Sequence, residues 1–164
     1  MINKKIQIEL IKQLNRESES SHLYLSMASW VERQGFEGIS KFLYDHSDEE
    51  RMHMIKLIKH LNKRGGEAIL DNIFIGNIQY KSLKELFHIL FEHEKEISTK
   101  INLLVELSLQ EKDFFTYNFL QWYVEEQIEE ETLTKMILNK IELIGEDKGG
   151  LYLFDKDIKN FHKK

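Results

Sequence analysis

The sequence predicts an all-α fold: a four-helix bundle with one long crossover and a short C-terminal fifth helix, as a single domain over residues 1–164. Three observations carry this expectation. The chain has no proline, and its eight glycines, at 35, 38, 65, 66, 76, 145, 149 and 150, gather in a few breaks. The segments between those breaks are far longer than the ~11–12 residues of an average helix. In four stretches of the chain, apolar residues recur in steps of three and four, the spacing that lines one face of a helix. A chain of this length can bury a real core as one domain.

The elements follow in order. Helix α1, about residues 3–33, carries the stripe Leu10, Leu14, Glu17, Ser21, Tyr24, Ala28 and Val31. Helix α2, about 39–63, carries Leu43, His46, Glu50, His53 and Leu57. Helix α3, about 82–110, reads Leu83, Phe87, Leu90, Glu94, Ile97, Ile101 and Leu104. Helix α4, about 114–144, reads Leu120, Tyr123, Gln127, Glu130, Thr134, Ile137 and Ile141, and a short α5 is expected near 155–162. The breaks at Gly35-Phe36-Glu37-Gly38 and Glu111-Lys112-Asp113 are short, which makes α1/α2 and α3/α4 antiparallel neighbours. The link 65–81 is long. Helix α2 would measure roughly 38 Å at ~1.5 Å per residue, and the extended link could reach roughly 56 Å at ~3.3 Å per residue. It can therefore cross the whole bundle and let α2 and α3 run parallel. Its apolar residues Ile69, Leu70, Ile73, Phe74 and Ile75 need cover, from this bundle or from another subunit.

Composition removes several function classes. With no cysteine there are no disulfides, Cys-bound zinc or iron–sulfur clusters. A net charge of −5 and the lack of a basic stripe argue against nucleic acid. No run approaches ~20 apolar residues, so no membrane span is expected. Met1-Ile2-Asn3-Lys4-Lys5 leads into amphipathic helix without an apolar leader, from which a cytoplasmic protein is expected. The chain has no Gly-rich phosphate loop and no nucleophile elbow.

Each of the four stripes is interrupted near its midpoint by a side chain that does not belong in an apolar core. Glu17, Glu50 with His53, Glu94, and Gln127 with Glu130 all fall there. Midpoints of packed helices meet in one layer whichever way each helix runs. Buried carboxylates need a partner, and they cannot serve one another, because like charges repel. A dinuclear metal site meets the requirement. Carboxylates with a single imidazole and no thiolate suit iron or manganese, and Glu50 is the natural bridge between two ions. Glu50-Arg51-Met52-His53 puts a carboxylate and an imidazole one turn apart. The same spacing at Glu19/His22 and Glu85/His88 falls off the stripes and reads as solvated surface. Glu126, Glu129 and Glu130 form an acidic ridge beside the stripe of α4, and Glu49 faces it from α2; such crowding calls for a cation. His46 reads as a satisfied core histidine or as a buried group supporting a ligand, His93 as pointing away from the centre, and Trp122 as packing. Tyr24 is either a core aromatic or a residue of the centre that hydrogen-bonds a metal ligand or donates an electron.

These residues are similar to those of a known family. In Glu17 with Tyr24, Asp48-Glu49-Glu50-Arg51-Met52-His53, Glu94, Asn118-Phe119-Leu120-Gln121-Trp122-Tyr123-Val124-Glu125-Glu126-Gln127, and the tail Gly150-Leu151-Tyr152-Leu153-Phe154-Asp155-Lys156, the chain resembles bacterial non-haem ferritins. The resemblance covers nearly the whole length. It implies a ferritin-like bundle in which Glu17, Glu50 and His53 hold a first iron and Glu50, Glu94 and Glu130 a second, with Gln127 close by. It implies a third, weaker site of Glu49, Glu126, Glu129 and Glu130, with Tyr24 beside the centre. It further implies a homo-oligomeric shell of 24 subunits that stores a ferric mineral, with Fe(II) and oxygen or peroxide as substrates. Two departures sort the subfamily. Gln127-Ile128-Glu129-Glu130 replaces the second Glu-x-x-His of a symmetric di-iron oxidase, which should weaken metal retention. Arg51 stands where bacterioferritins place a haem-binding methionine, so no haem is expected. The function expected is an iron-storage ferroxidase. The alternatives are a di-metal redox enzyme of fixed metal content and a purely structural helical module.

Overall fold

The computed structural model describes residues 1–76 and 78–161. Helices α1 (Lys4–Arg33), α2 (Glu37–Lys63), α3 (Leu83–Gln110) and α4 (Phe114–Ile144) match the predicted segments to within two residues. Among the described residues no helix is long and apolar enough to cross a membrane. Each start has a local cause. Asn3 caps α1 by accepting from Lys5 N at 2.8 Å, and Ser82 caps α3 by accepting from Glu85 N at 3.1 Å. Asp113 caps α4 through Thr116 N and is itself clamped by Arg64 at 2.9 and 3.1 Å.

Helix α2 begins differently. Its N-cap, Phe36, offers no side-chain acceptor. The orphan amide of Ile39 donates instead to the Asp155 carboxylate at 2.9 Å, so a residue 116 positions away does the capping. Asp155 lies on α5 (Lys148–Asp157), which continues as a 3-10 turn over Ile158–Asn160. The predicted span 155–162 places this helix too late, and residue 162 lies outside the described residues. The Gly149-Gly150 pair forms the first turn rather than a break, because the Asp147 side chain accepts from Gly150 N at 2.5 Å. Gly38 lets the two helices meet: a Cβ there would collide with the backbone oxygen of Asp155.

Register pairs give the topology. Ser21 meets Ser47 and Glu32 meets Tyr44, so α1 and α2 are antiparallel. Lys5 meets Glu111 and Ser20 meets His93, so α1 and α3 are antiparallel as well. Helices α2 and α3 are therefore parallel, as the long link requires. The link lies along its own bundle. Asn15 holds it by donating to the Ile69 carbonyl at 3.0 Å and accepting from Asp71 N at 2.9 Å, and Tyr80 is buried against Trp30. Ile75 and Ile78 pack inward, while Leu70 and Phe74 stay exposed, at 60% and 87%.

The core falls into two apolar halves. One contains Leu23, Met27, Leu43, Leu86, Leu90, Leu133 and Ile137, and the other Leu10, Leu14, Leu57, Leu61, Ile97, Ile101 and Leu120. Between them lies a slab of buried polar residues: Gln13, Glu17, His46, Ser47, Glu50, His53, Glu94, Gln127 and Glu130. Apolar burial of order 25 cal/mol per Å² in the two halves offsets the cost of desolvating this slab.

Candidate metal centre

All the stripe-interrupting residues of the sequence reach this slab. Glu17, Glu50 and His53 bring one ligand atom each to within 4.8 Å of one another, and all three are buried. His53 Nδ1 lies 3.4 Å from Glu50 and 3.9 Å from Glu17. The Glu-x-x-His spacing on α2 puts the imidazole over the Glu50 carboxylate, and α1 brings Glu17 to the same point. The close approach of α1 and α2 is secured by a reciprocal pair: Ser21 Oγ donates to the Ser47 carbonyl at 2.8 Å, and Ser47 Oγ to the Ser21 carbonyl at 2.7 Å. Side chains this small permit it.

Across the slab, Glu94 is 1% exposed and held from two sides. Tyr24 donates its hydroxyl to one carboxylate oxygen at 2.9 Å, and Gln127 Nε2 donates to the other at 3.2 Å. Tyr24 is thus both a buried core aromatic and a hydrogen-bond donor to Glu94. Gln127 serves the centre in the same way: its amide nitrogen also reaches the Glu94 carbonyl and Ser98 Oγ, so it positions Glu94. Glu130, fully buried, completes the layer from α4.

The electrostatics show what the cluster lacks. Burial, then the nearby Glu50 charge, push the Glu17 carboxyl well above the usual carboxylate range, despite a hydrogen bond from Gln13 at 2.8 Å. Burial and then the charges of Glu94, Glu130 and Glu50 push the Tyr24 phenol well above its ordinary value. The protein has collected anions where water cannot solvate them. A pair of divalent cations would neutralise them, and the donor set, carboxylate-rich with one imidazole, fits that charge and hardness.

The flanks complete the picture. His53 Nε2 faces Glu126 at 3.6 Å, so the acidic ridge of α4 meets the centre through the imidazole. Glu49 is exposed and Glu129 half-buried. A groove of about 830 Å³ between α2 and α4 has Glu49, His53, Trp122 and Glu126 in its wall. Trp122 packs edge-on against His53 and under Lys56. Tyr123 fixes α2 to α4 by donating to the His53 carbonyl at 2.7 Å. Glu19, His22 and His88 are exposed, as their off-stripe positions require, and Glu85 accepts from Lys81 N at the start of α3. His93 is half-buried between α1 and α3, its Nε2 2.7 Å from the buried Ser20 hydroxyl. Sequence reasoning misses Gln13 and Ser98, whose roles depend on the direction of single side chains.

A four-helix bundle with one long crossover and a buried carboxylate–imidazole cluster at its midpoint defines a class, the di-metal carboxylate proteins. The particular family emerges from comparison. A ferritin-like domain model matches residues 9–144. Over 164 residues the chain is 48% identical to a Haemophilus influenzae protein described as a probable bacterial non-heme ferritin-like protein, covering 100% of this chain and 99% of that one. It is 44% identical over 160 residues to a bacterial non-heme ferritin of Campylobacter jejuni, covering 98% and 96% of the two chains. An open pore ferritin from the hyperthermophilic archaeon Archaeoglobus fulgidus superposes with a TM-score of 0.94 at 41% identity, over 96% of this chain and 97% of that one. The chain belongs to the ferritin family.

Proposed function

We propose that this chain is an iron-storage ferroxidase in which Glu17, Glu50 and His53 bind one Fe(II) and Glu50, Glu94 and Glu130 a second. The observation that carries this reading is the convergence of Glu17, Glu50 and His53 to within 4.8 Å in a buried layer that also contains Glu94 and Glu130. Glu50, grouped with Glu17 and His53, would be the carboxylate shared by the two ions. Each Fe(II) gives up one electron, and two electrons with two protons reduce one dioxygen to hydrogen peroxide. Tyr24 and Gln127 keep the Glu94 carboxylate aimed at the second ion, so it need not reorganise as charge builds on the metal. The amide at 127 adds no charge of its own, which leaves the pair loosely held and free to pass iron on. Glu49, Glu126 and Glu129 flank the exit and gather ions in transit.

Storage needs an enclosure, and the subunit is shaped for assembly. It forms a homo-oligomer, with a closed shell of 24 copies as the proposed state. Exposed Leu70 and Phe74 on the long link, and Phe114 and Phe115 at the start of α4, are apolar surface suited to contacts between copies. The test is aerobic Fe(II) loading of metal-free protein, with iron counted per particle and particle size measured. Hundreds of ferric ions retained in one large hollow particle are expected. Retention of only two or three ions per subunit, in a dimer, would leave a redox enzyme of fixed metal content.

A further inference from the structure

We propose that Gln13 is a positioning residue of the paired centre: its amide takes up Oε1 of Glu17 and so presents Oε2 to the ion that Glu17 binds with Glu50 and His53. The proposal rests on the ferroxidase reading above and adds to it a residue that does not itself touch metal. Gln13 and Glu17 stand one turn apart on α1, and both are buried, Gln13 completely. Gln13 Nε2 donates to Glu17 Oε1 at 2.8 Å. The other oxygen, Oε2, lies 3.9 Å from His53 Nδ1, on the side where Glu17, Glu50 and His53 come together.

The orientation of the amide is fixed from both ends. Its oxygen accepts from Arg16 Nη1 at 3.4 Å, and a guanidinium only donates. A carboxylate that is to bind a cation only accepts, so Nε2 must face Glu17. The two partners, three and four residues beyond Gln13 on the same helix, therefore agree on one arrangement. The residue type fits the task as well. A lysine or arginine reaching Glu17 would neutralise it, and an arriving ion would have to break that pair. A neutral amide fixes the carboxylate and leaves its charge for the metal. Arg16 is half-buried in the wall of a cleft of about 560 Å³ between α1 and α3. Its charge stays on the outer side of the amide, polarising the donor without reaching the ligand.

The far half of the centre uses the same device. Gln127 Nε2 donates to Glu94 Oε2 at 3.2 Å, so one unshared glutamate of each ion is held by a glutamine. The grips differ in extent. Glu94 is held at both oxygens, Oε1 by Tyr24 and Oε2 by Gln127. Gln13 holds Glu17 at Oε1, which defines Oε2 as the donor to the ion. With only Glu17, Glu50 and His53 around that ion, losing the hold on one of them should be felt strongly.

The test uses assembled, metal-stripped protein titrated anaerobically with Fe(II), and crystals soaked in Zn(II) to tell the two positions apart. Gln13→Met keeps the length of the side chain and removes the amide. It should bind the ion at Glu17/Glu50/His53 ~10–100-fold more weakly, while the ion at Glu94 and Glu130 keeps its wild-type affinity. Because Gln13 is buried, Arg16→Met serves as a second variant. This half-buried side chain can change without disturbing the core, and its loss frees the amide to turn, so the same ion should weaken by a smaller factor. In wild-type crystals Glu17 should ligate Zn(II) at ~2.0–2.2 Å through Oε2, with Oε1 still on Gln13. Affinity for that ion unchanged in both variants would overturn the proposal. So would a lowered melting temperature with the ratio of the two affinities preserved, which is the mark of a purely structural role, or a wild-type ion held through Glu17 Oε1 with Gln13 turned away. Those results leave the ferroxidase reading standing. Wild type with no ion at the Glu17/Glu50/His53 position would refute that reading, and this proposal with it.

Discussion

Replacing Glu50 by glutamine separates the electrostatic role of the centre from its chemical role. The Glu17 and Glu50 carboxylate oxygens lie within 4.8 Å in a buried layer. Two unit charges at that distance repel by ~3.5 kcal/mol at an effective dielectric constant of ~20. Burial first and the Glu50 charge second push the Glu17 carboxyl well above the usual carboxylate range, the direction that relieves part of this repulsion. The Glu50→Gln substitution keeps the shape and removes the charge, so the metal-free variant should gain about 1–2 kcal/mol of stability, part of that repulsion. At roughly 2–4 °C per kcal/mol for a domain of this size, the melting temperature should rise by about 2–8 °C. The pH dependence has a definite sign. A carboxyl raised in the folded state contributes stability in acid and loses it as pH climbs through the raised value, so wild type should lose stability toward neutral pH faster than the variant. With iron the order reverses: the shared ligand is gone, and the fast oxidation phase should fall by more than the ~10–100-fold typical of losing an outer-shell partner. Calorimetry of both metal-free proteins and stopped-flow oxidation check the two halves. A less stable metal-free variant would show that Glu50 is not a repelling charge, and oxidation near the wild-type rate would show that it is not a shared ligand.

Tyr24→Phe removes the 2.9 Å donor to Glu94, a hydrogen bond to a charged group worth about 1.5–3 kcal/mol, so anaerobic titration should show the second Fe(II) bound about 10–100-fold more weakly and the first little changed. Gln127→Glu with Glu130→His should make the pair more persistent; iron content after gel filtration against a chelator should be higher than in wild type, and equal content would show that α4 does not set retention. Gly38→Ala drives a methyl into the Asp155 backbone, and chemical denaturation should show a loss of about 1–3 kcal/mol with α5 released from α2. His60, stacked on Phe119, is pushed down to about 4, first by burial and then by Arg64. A histidine lowered on folding supplies stability above its ordinary value and loses it as pH falls, so melting temperature should drop between about pH 6.5 and 4, and His60→Gln should flatten that drop.

Much of this is legible in the sequence because helical periodicity reports face and depth. The alignment of Glu17, Glu50, Glu94 and Glu130 at helix midpoints marks one buried layer, and the different lengths of the breaks give the relative directions of the helices. What periodicity leaves open is the direction of a side chain within the layer. Spacing puts Gln127 in that layer, yet only the structure shows its amide donating to Glu94. Spacing puts His46 there too, but which of its nitrogens is satisfied depends on a rotamer, and only one is. The start of helix α5 escapes sequence reasoning because two adjacent glycines conceal the Asp147 cap. Its docking through Asp155 onto the uncapped end of α2 is a contact that no local pattern announces.

If the midpoint cluster binds and oxidises iron in pairs, the stoichiometry of its first turnover is fixed. The measurement is anaerobic Fe(II) titration of metal-free assembled protein, followed by a single oxygen pulse with the ferric product counted in the fast phase. Two Fe(II) per subunit should be oxidised in that phase, and the phase should be lost in Glu50→Gln. A fast phase of one iron per subunit, or one that survives intact in Glu50→Gln, would rule out a paired centre bridged by Glu50.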